Sequence, residues 1–198
     1  MSNKPFAVSG INVVTPKGKA LWCKYAEPDR KYDAGGRYET QVILDPNDPA
    51  TEAFVGRLAA LQDTAFNEAM ETLGAKGKGW TKRDLYTEDE DGNYVFKFVL
   101  KDVDGRRAAG KQSEIQVVDA AKRPITDKTL VGNGSTIRVA GFAFPYPMAM
   151  NKQIGVSLLW SKMQIIDLVE YSGNAGGGDF DEEDGFTASA PSFNDDDF

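Results

Sequence analysis

The sequence has no histidine and only one cysteine among its 198 residues. Histidine is the side chain that most often acts as a general base or a metal ligand near neutral pH, so its absence argues against most catalytic and metal sites. The single cysteine, Cys23, cannot form a disulfide within the chain, which fits a reducing compartment. We therefore expect a protein that is not an enzyme and that has neither a cofactor nor a metal.

Long apolar runs are missing as well. No stretch approaches the roughly 20 consecutive apolar residues that cross a bilayer, and the N-terminus lacks the apolar core of a signal peptide. We expect no membrane partner and a cytoplasmic location. The hydrophobic content of 41% is nevertheless enough for one domain with a core of its own.

The C-terminal residues 172–198 contain no lysine or arginine. Eight of the 30 acidic residues lie there, so the remaining 22 nearly balance the 23 basic residues of the chain. With three consecutive glycines at 176–178, this segment is predicted to be a disordered acidic tail behind a domain that spans residues 1–171.

Aromatic residues set this tail apart from a simple solubilising segment, which remains the alternative. Four phenylalanines are spaced through the acids, namely Phe180, Phe186, Phe193 and Phe198. Acids alternating with aromatics imitate a phosphate backbone with bases, and a terminal Phe offers an anchor for a protein. We expect the partner contact at Asp195, Asp196, Asp197 and Phe198.

The body of the chain reads as short strands around one helix. Apolar residues recur at three- and four-residue intervals between Pro49 and Leu73, with Asp48 as N-cap and Gly74 as the stop. Alternating patterns predict strands at 6–14, 20–25, 39–44, 93–101, 114–119, 134–144, 153–160 and 163–169. Gly141 and Gly155 inside strands suggest bulges, as a small closed barrel needs. The strand at 114–119 is expected to return beside 93–101, and Pro145 to end the strand before it.

Between these elements, cations occur together with aromatic side chains. Loops of this kind suit a single-stranded nucleic acid, because backbone contacts need charge and reach while bases stack on aromatic rings. Candidates for backbone contact are Lys24, Lys31, Arg37, Lys76, Lys78, Lys82, Arg83, Lys97, Arg106, Arg107 and Lys111. Candidates for stacking are Trp22, Tyr32, Tyr38, Trp80, Tyr94 and Tyr146. For each aromatic side chain, packing in the core is the alternative.

Several pieces of the sequence resemble a known family. The end of the tail, 194–198, looks like the acidic, Phe-ended tails of bacterial and phage single-stranded DNA-binding proteins. The body is similar to a phage family long catalogued as a domain of unknown function, at 36–44, 134–139, 155–158 and 163–166. The resemblance implies a mainly β, OB-fold-like small barrel, roles in phage replication and recombination, and a location in the host cytoplasm.

The sequence thus predicts a non-enzymatic binder of single-stranded DNA with little sequence preference. Its acidic tail would compete with DNA and recruit replication or recombination proteins. The near-neutral body keeps open a DNA mimic or protein-interaction module that binds no DNA itself, because dedicated DNA binders are usually more basic. A metal-dependent nuclease is disfavoured, since no acids cluster outside turns.

Overall fold

The computed structural model describes residues 5–31, 34–102, 114–127 and 129–170. Within these ranges the chain forms one α-helix and nine strands. The elements in chain order are β1 (Ile11–Val14), β2 (Gly18–Asp29), β3 (Arg37–Leu44), α1 (Pro49–Leu73), a 3₁₀ turn (Gly74–Gly77), β4 (Thr81–Lys82), β5 (Thr87–Glu88), β6 (Tyr94–Lys101), β7 (Gln116–Val118), β8 (Thr136–Met148) and β9 (Gln153–Asp167). The predicted division at 171/172 and the disorder predicted for the tail lie outside the described residues.

Five strands pair in a closed circuit, β2–β3–β6–β9–β8, with β8 pairing back to β2. All these pairings are antiparallel except β6–β9, which is parallel. The circuit is not a regular barrel, because two residue pairs join β6 to β9 and two join β8 to β2. This is an OB-like arrangement, as the sequence predicted.

Alternation along the strands places the core inside the circuit. On β6, Phe96, Phe98 and Leu100 are buried while Lys97 and Lys101 are exposed, the alternation that the sequence predicted. Opposite them, Val42 of β3 is paired with Phe96 and is fully buried.

The helix begins and ends where local signals predicted. The Asp48 carboxylate accepts a hydrogen bond from the Ala50 N–H, and Gly74 has a φ of 52° at the C-terminal end. Phe54 meets the Phe96 ring edge-on with centroids 5.1 Å apart, so the helix completes the core. Farther along, Ala65 and Ala69 pack with Phe6 and Ile154 in a second cluster. No helix in the described ranges is long and apolar enough to cross a membrane.

Two predictions about strands were wrong. β7 does not return beside β6; it runs parallel to β9, with Val117 opposite Met163. β8 does not end at Pro145 but continues through Pro147 to Met148. Proline is tolerated there because β1 pairs with β8 only as far as Ala143, which leaves that edge of β8 without a described partner strand.

The glycine predictions were half right. A register shift falls between Ala140 and Gly141, where Lys162 and Trp160 are the successive partners and Ser161 is extra. At Gly155 the pairing is regular, and the glycine instead makes room for Tyr146, whose ring would lie 2.9 Å from an added Cβ.

Candidate nucleic-acid interface

One side of the sheet faces away from the core, and all charged side chains of β3 and β6 lie on it. On β3 and β6 the outward side chains are Arg37, Glu39, Gln41 and Ile43, and Val95, Lys97, Val99 and Lys101. β2 continues this surface, since Lys19 lies opposite Ile43 and Lys24 opposite Glu39. We call the outward surface of β2, β3 and β6 the outer sheet face.

Cations outnumber acids on the outer sheet face. The carboxylate of Glu39 lies 3.0 Å from Arg37 Nε and 3.0 Å from Lys97 Nζ, so one acid serves two cations. Asp29 pairs with Lys24 at 2.5 Å, and this hydrogen bond holds the pKa of the Asp29 carboxyl below its usual range. Lys101 lies directly opposite Arg37 and forms no ion pair within the described residues, while Asp29 lies opposite Arg37 on β2.

An aromatic row borders the outer sheet face on β8. Phe142, Phe144 and Tyr146 alternate with buried residues, and Phe142 pairs with Leu159, which in turn lies beside Val99 of β6. Phe142 is 38% exposed and Leu159 is 36% exposed. Arg83 Nη1 donates to the Tyr146 hydroxyl at 3.0 Å and fixes that ring over Gly155.

Trp22 stands at a bulge of β2. The register moves from Leu21–Gln41 to Lys24–Glu39, so Trp22 and Cys23 together oppose Thr40. Trp22 has a φ of 53°, which is rare for a bulky residue, and its N–H donates to Asn133 Oδ1 at 2.9 Å. Its side chain is 58% exposed.

The bulge also changes which side chains of β2 face the core. Strict alternation would place Leu21, Cys23 and Tyr25 on one face, but Gly18, Ala20 and Tyr25 are the buried residues. Trp22 and Lys24 are both exposed.

Beside Trp22 lies a depression of about 600 Å³ whose wall includes Tyr25, Leu130 and Val131. Burial raises the pKa of the Cys23 thiol and of the Tyr25 hydroxyl to about 12, so both groups are neutral at pH 7. An apolar hollow next to an exposed indole is suited to holding a flat aromatic group.

Not every predicted site residue reaches this surface. Tyr38 is 8% exposed and packs in the core, the alternative that the sequence left open for each aromatic side chain. Trp80 is half-buried against the second core cluster, and Tyr94 stacks on Tyr86 with centroids 3.8 Å apart.

The predicted cations also divide between locations. Lys76 and Lys78 are exposed just after the helix, and Lys82 pairs with Asp63 of the helix at 2.6 Å. Lys31 is exposed after β2, and its backbone N–H donates to Asp29. The other predicted site residues lie outside the described ranges: Tyr32, Arg106, Arg107, Lys111, Asp195, Asp196, Asp197 and Phe198.

Sequence reasoning missed part of the surface. Lys19, Lys101, Phe142, Phe144 and Leu159 were not among the candidates. Phe142, Phe144 and Tyr146 alternate within a predicted strand, and that pattern could have indicated an aromatic outer row. In the described part of the chain, no three acidic, Cys or His side chains are grouped to hold a metal.

No protein-family model matches the sequence. A single-stranded DNA-binding protein of Enterobacteria phage T3 is 25% identical over 206 residues, which cover 94% of this chain and 87% of the relative. A single-stranded DNA-binding protein of Escherichia phage T7 is 24% identical, covering 96% and 87%. Both are named for binding rather than catalysis, which agrees with the prediction that the chain is not an enzyme.

The crystal structure of gp2.5, a single-stranded DNA-binding protein encoded by bacteriophage T7, matches the fold with a TM-score of 0.72 at 22% identity. The match covers 91% of this chain and all of that one. The chain therefore resembles phage single-stranded DNA-binding proteins along most of its length, as the sequence predicted, and shares its fold with one of them.

Proposed function

We propose that this protein binds single-stranded DNA on the outer sheet face, with little sequence preference. The observation that carries the proposal is the composition of β3 and β6, where Arg37, Lys97 and Lys101 point outward among apolar side chains. β3 and β6 are the second and third strands of the five-stranded circuit, and OB folds bind oligonucleotides on that face. The names of the phage T3 and T7 relatives support the same ligand.

The chemistry of the surface fits a single strand better than a duplex. Lys97, Lys101 and Arg37 would neutralise phosphates, and each contact would release counterions. Trp22 and Tyr146 would stack on bases, which are reachable only when they are unpaired. Base stacking is tolerant of sequence because every base has a π-face, so little sequence preference is expected.

The acids on the face would then change partners. Glu39 now lies against Arg37 and Lys97, and a phosphate would take its place beside one of them. The acidic tail, which is tethered to the domain, would compete with DNA for the same cations. Glu170, two residues before the tail begins, bridges to Val131 on the wall of the Trp22 depression, so the tail begins near the proposed site.

We further propose that DNA binding releases the tail for a protein of phage replication or recombination. Phe198 would be the aromatic anchor and Asp195 to Asp197 would steer it to a basic pocket on that protein. This function would be exercised in the host cytoplasm.

The proposal is tested by titrating the full chain with a fluorescent unstructured oligonucleotide and with its duplex, at two salt concentrations. We expect tighter binding of the single strand and a log–log salt slope of about −0.7 per phosphate contact. The double variant Lys97→Gln/Lys101→Gln should bind more weakly and with a shallower slope. Absence of binding at low salt would instead favour the DNA mimic.

A further inference from the structure

A second basic surface lies farther along the β8–β9 ribbon, past the bulge at Ser161. There the neighbour of β9 changes from β6, which pairs at Leu159, to β7, which pairs at Lys162. The three strands β7, β8 and β9 enclose a depression of about 290 Å³. Its polar lining consists of Arg138, Lys162, Lys122, Gln116 and Gln164. We call this depression the ribbon pocket.

The ribbon pocket concentrates positive charge without an acid. None of its lining residues is an aspartate or glutamate. Arg37, Lys24 and Lys97 on the outer sheet face all lie against carboxylates, whereas Lys122 and Lys162 form no ion pair within the described residues. Arg138 donates from Nε to the Thr15 carbonyl at 3.1 Å, an uncharged partner that leaves the charge of the guanidinium uncompensated.

The backbone keeps Lys122 at this pocket in an unfavourable conformation. Lys122 has a φ of 64°, in a turn closed by its N–H to the Asp119 carbonyl at 3.0 Å. Gln164 Nε2 holds the same turn from β9 through the carbonyls of Asp119 and Ala120 at 3.3 and 3.2 Å. Strain of this kind persists where surrounding contacts enforce it, and such residues cluster at functional sites.

We infer that the ribbon pocket binds a backbone phosphate of the same single strand, so that the DNA path extends from the outer sheet face along β8. This inference rests on the proposed function. The aromatic row at Tyr146, Phe144 and Phe142 leads along one side of β8 toward Arg138. Tyr146 and Arg138 are eight positions apart on β8, which corresponds to a distance of about 27 Å at about 3.4 Å per residue. Several nucleotides of a single strand would cover this distance.

A phosphate suits the lining better than the carboxylates of an acidic peptide. The guanidinium of Arg138 can pair with the oxygens of a phosphate or of a carboxylate, and Lys122 and Lys162 supply charge around it, so the choice depends on what leads to the pocket. A peptide would satisfy the same charges, but it would leave unexplained why a row of outward aromatic rings leads to the pocket.

The test is the double variant Lys122→Gln/Lys162→Gln, which leaves the structural contact of Arg138 intact. Its binding is compared with the parent on oligonucleotides of about 5 and 16 nucleotides, near the limits for one OB fold. We expect unchanged affinity for the short strand and weaker affinity for the long one. Loss of this one phosphate contact should make the salt slope on the long strand less negative by about 0.7. That corresponds to about a 2.6-fold smaller loss of affinity between 50 and 200 mM salt.

The control is Lys17→Gln/Lys152→Gln, which removes the same charge at two exposed positions between strands, outside the outer sheet face and the ribbon pocket. Any change in the affinity of this control should be the same for the short and the long oligonucleotide. Thermal melting should show that all variants are folded. If the parent binds no single strand, the proposed function fails. The inference alone is overturned if the parent binds and the Lys122→Gln/Lys162→Gln variant has the same affinity as the parent for the long strand. It is also overturned if this variant loses affinity for the short and the long strand equally.

A synthetic peptide of residues 172–198 serves as the competing ligand. Binding of this peptide to the parent and not to the ribbon-pocket variant, with unchanged DNA affinity, would assign the pocket to an acidic peptide and overturn the inference. Loss of long-strand affinity without any effect on the peptide supports it.

Discussion

Trp22 combines an exposed indole with a backbone conformation that tryptophan rarely adopts. A φ of 53° costs a non-glycine residue on the order of 1–2 kcal/mol, and the bulge with its hydrogen bond to Asn133 maintains it. An isolated exposed tryptophan gains nothing for stability in return. The arrangement makes sense if the ring is there for a ligand.

Replacing Trp22 by glycine should separate stability from binding. Glycine adopts a positive φ without a steric penalty, so the Trp22→Gly variant should melt no lower than the parent. Affinity for single strands should fall by about 1–3 kcal/mol, because one stacking platform is lost. Differential scanning fluorimetry and fluorescence anisotropy measure the two effects on the same samples.

Trp80→Ala is the matched control for this experiment. Trp80 packs against Phe6, Ala65 and Ile154, so its truncation should lower the melting temperature and leave binding nearly unchanged. The reverse pattern, with Trp80→Ala binding weakly and Trp22→Gly binding like the parent, would show that we have assigned the wrong tryptophan.

Single side chains also show where sequence reasoning reached its limit. Lys97 could be placed outward because it alternates with Phe96 and Phe98 within one strand. The predicted strand began at residue 39, whereas β3 begins at Arg37, so the alternation that buries Tyr38 was not applied to it. The bulge that holds Trp22 outward depends on the pairing with β3, which no local signal in the sequence indicates.

At the scale of elements, local signals were sufficient for the helix and insufficient for the sheet. Asp48, Pro49 and Gly74 act on their immediate neighbours, so the bounds of α1 follow from the sequence alone. Strand pairing depends on residues far apart in the chain. Nothing near Val117 indicates that its partner is Met163 rather than a residue of β6, and the ribbon pocket arises from that pairing.

Within the outer sheet face, Glu39 limits the charge available to DNA. Its carboxylate lies between Arg37 and Lys97, two of the cations proposed to contact phosphate. Glu39→Gln should therefore raise the affinity for single strands, most at low salt, where charge is least screened. Because the Glu39 side chain is only 14% exposed, the variant also loses a partly buried ion pair, so a lower melting temperature than that of the parent is expected beside the gain in affinity.

Glu90→Gln provides the control, because Glu90 is an exposed acid in the turn before β6 and makes the same change in net charge. Oligonucleotide titrations at 50 and 300 mM salt compare the two variants. An equal rise for both would point to net charge, and no rise for Glu39→Gln would remove β3 from the proposed interface.

The whole molecule separates its charges along the chain rather than cancelling them locally. Its net charge is −7, yet eight acids are in the tail and the remaining residues are nearly neutral. A domain whose net charge is close to zero can still bind DNA if cations are gathered on particular surfaces, as several are on the outer sheet face and in the ribbon pocket. In the proposed function, the tail would be an internal competitor for those cations.

Removing residues 179–198 should therefore raise the affinity for single strands. Val169 donates to Ser135 Oγ and Glu170 bridges to Val131, so the chain is held to the folded domain just before the tail, and the eight acids of the tail would act at high effective concentration. The gain should be largest at low salt and should shrink as the screening length falls below about 10 Å above 0.1 M salt.

Deleting Phe198 alone hardly changes the charge, so that variant should bind DNA like the parent while losing affinity for the partner protein. Parallel titrations of the three chains with one oligonucleotide at two salt levels measure the competition. Equal or weaker binding by the truncated chain at low salt would leave the tail as a solubilising segment.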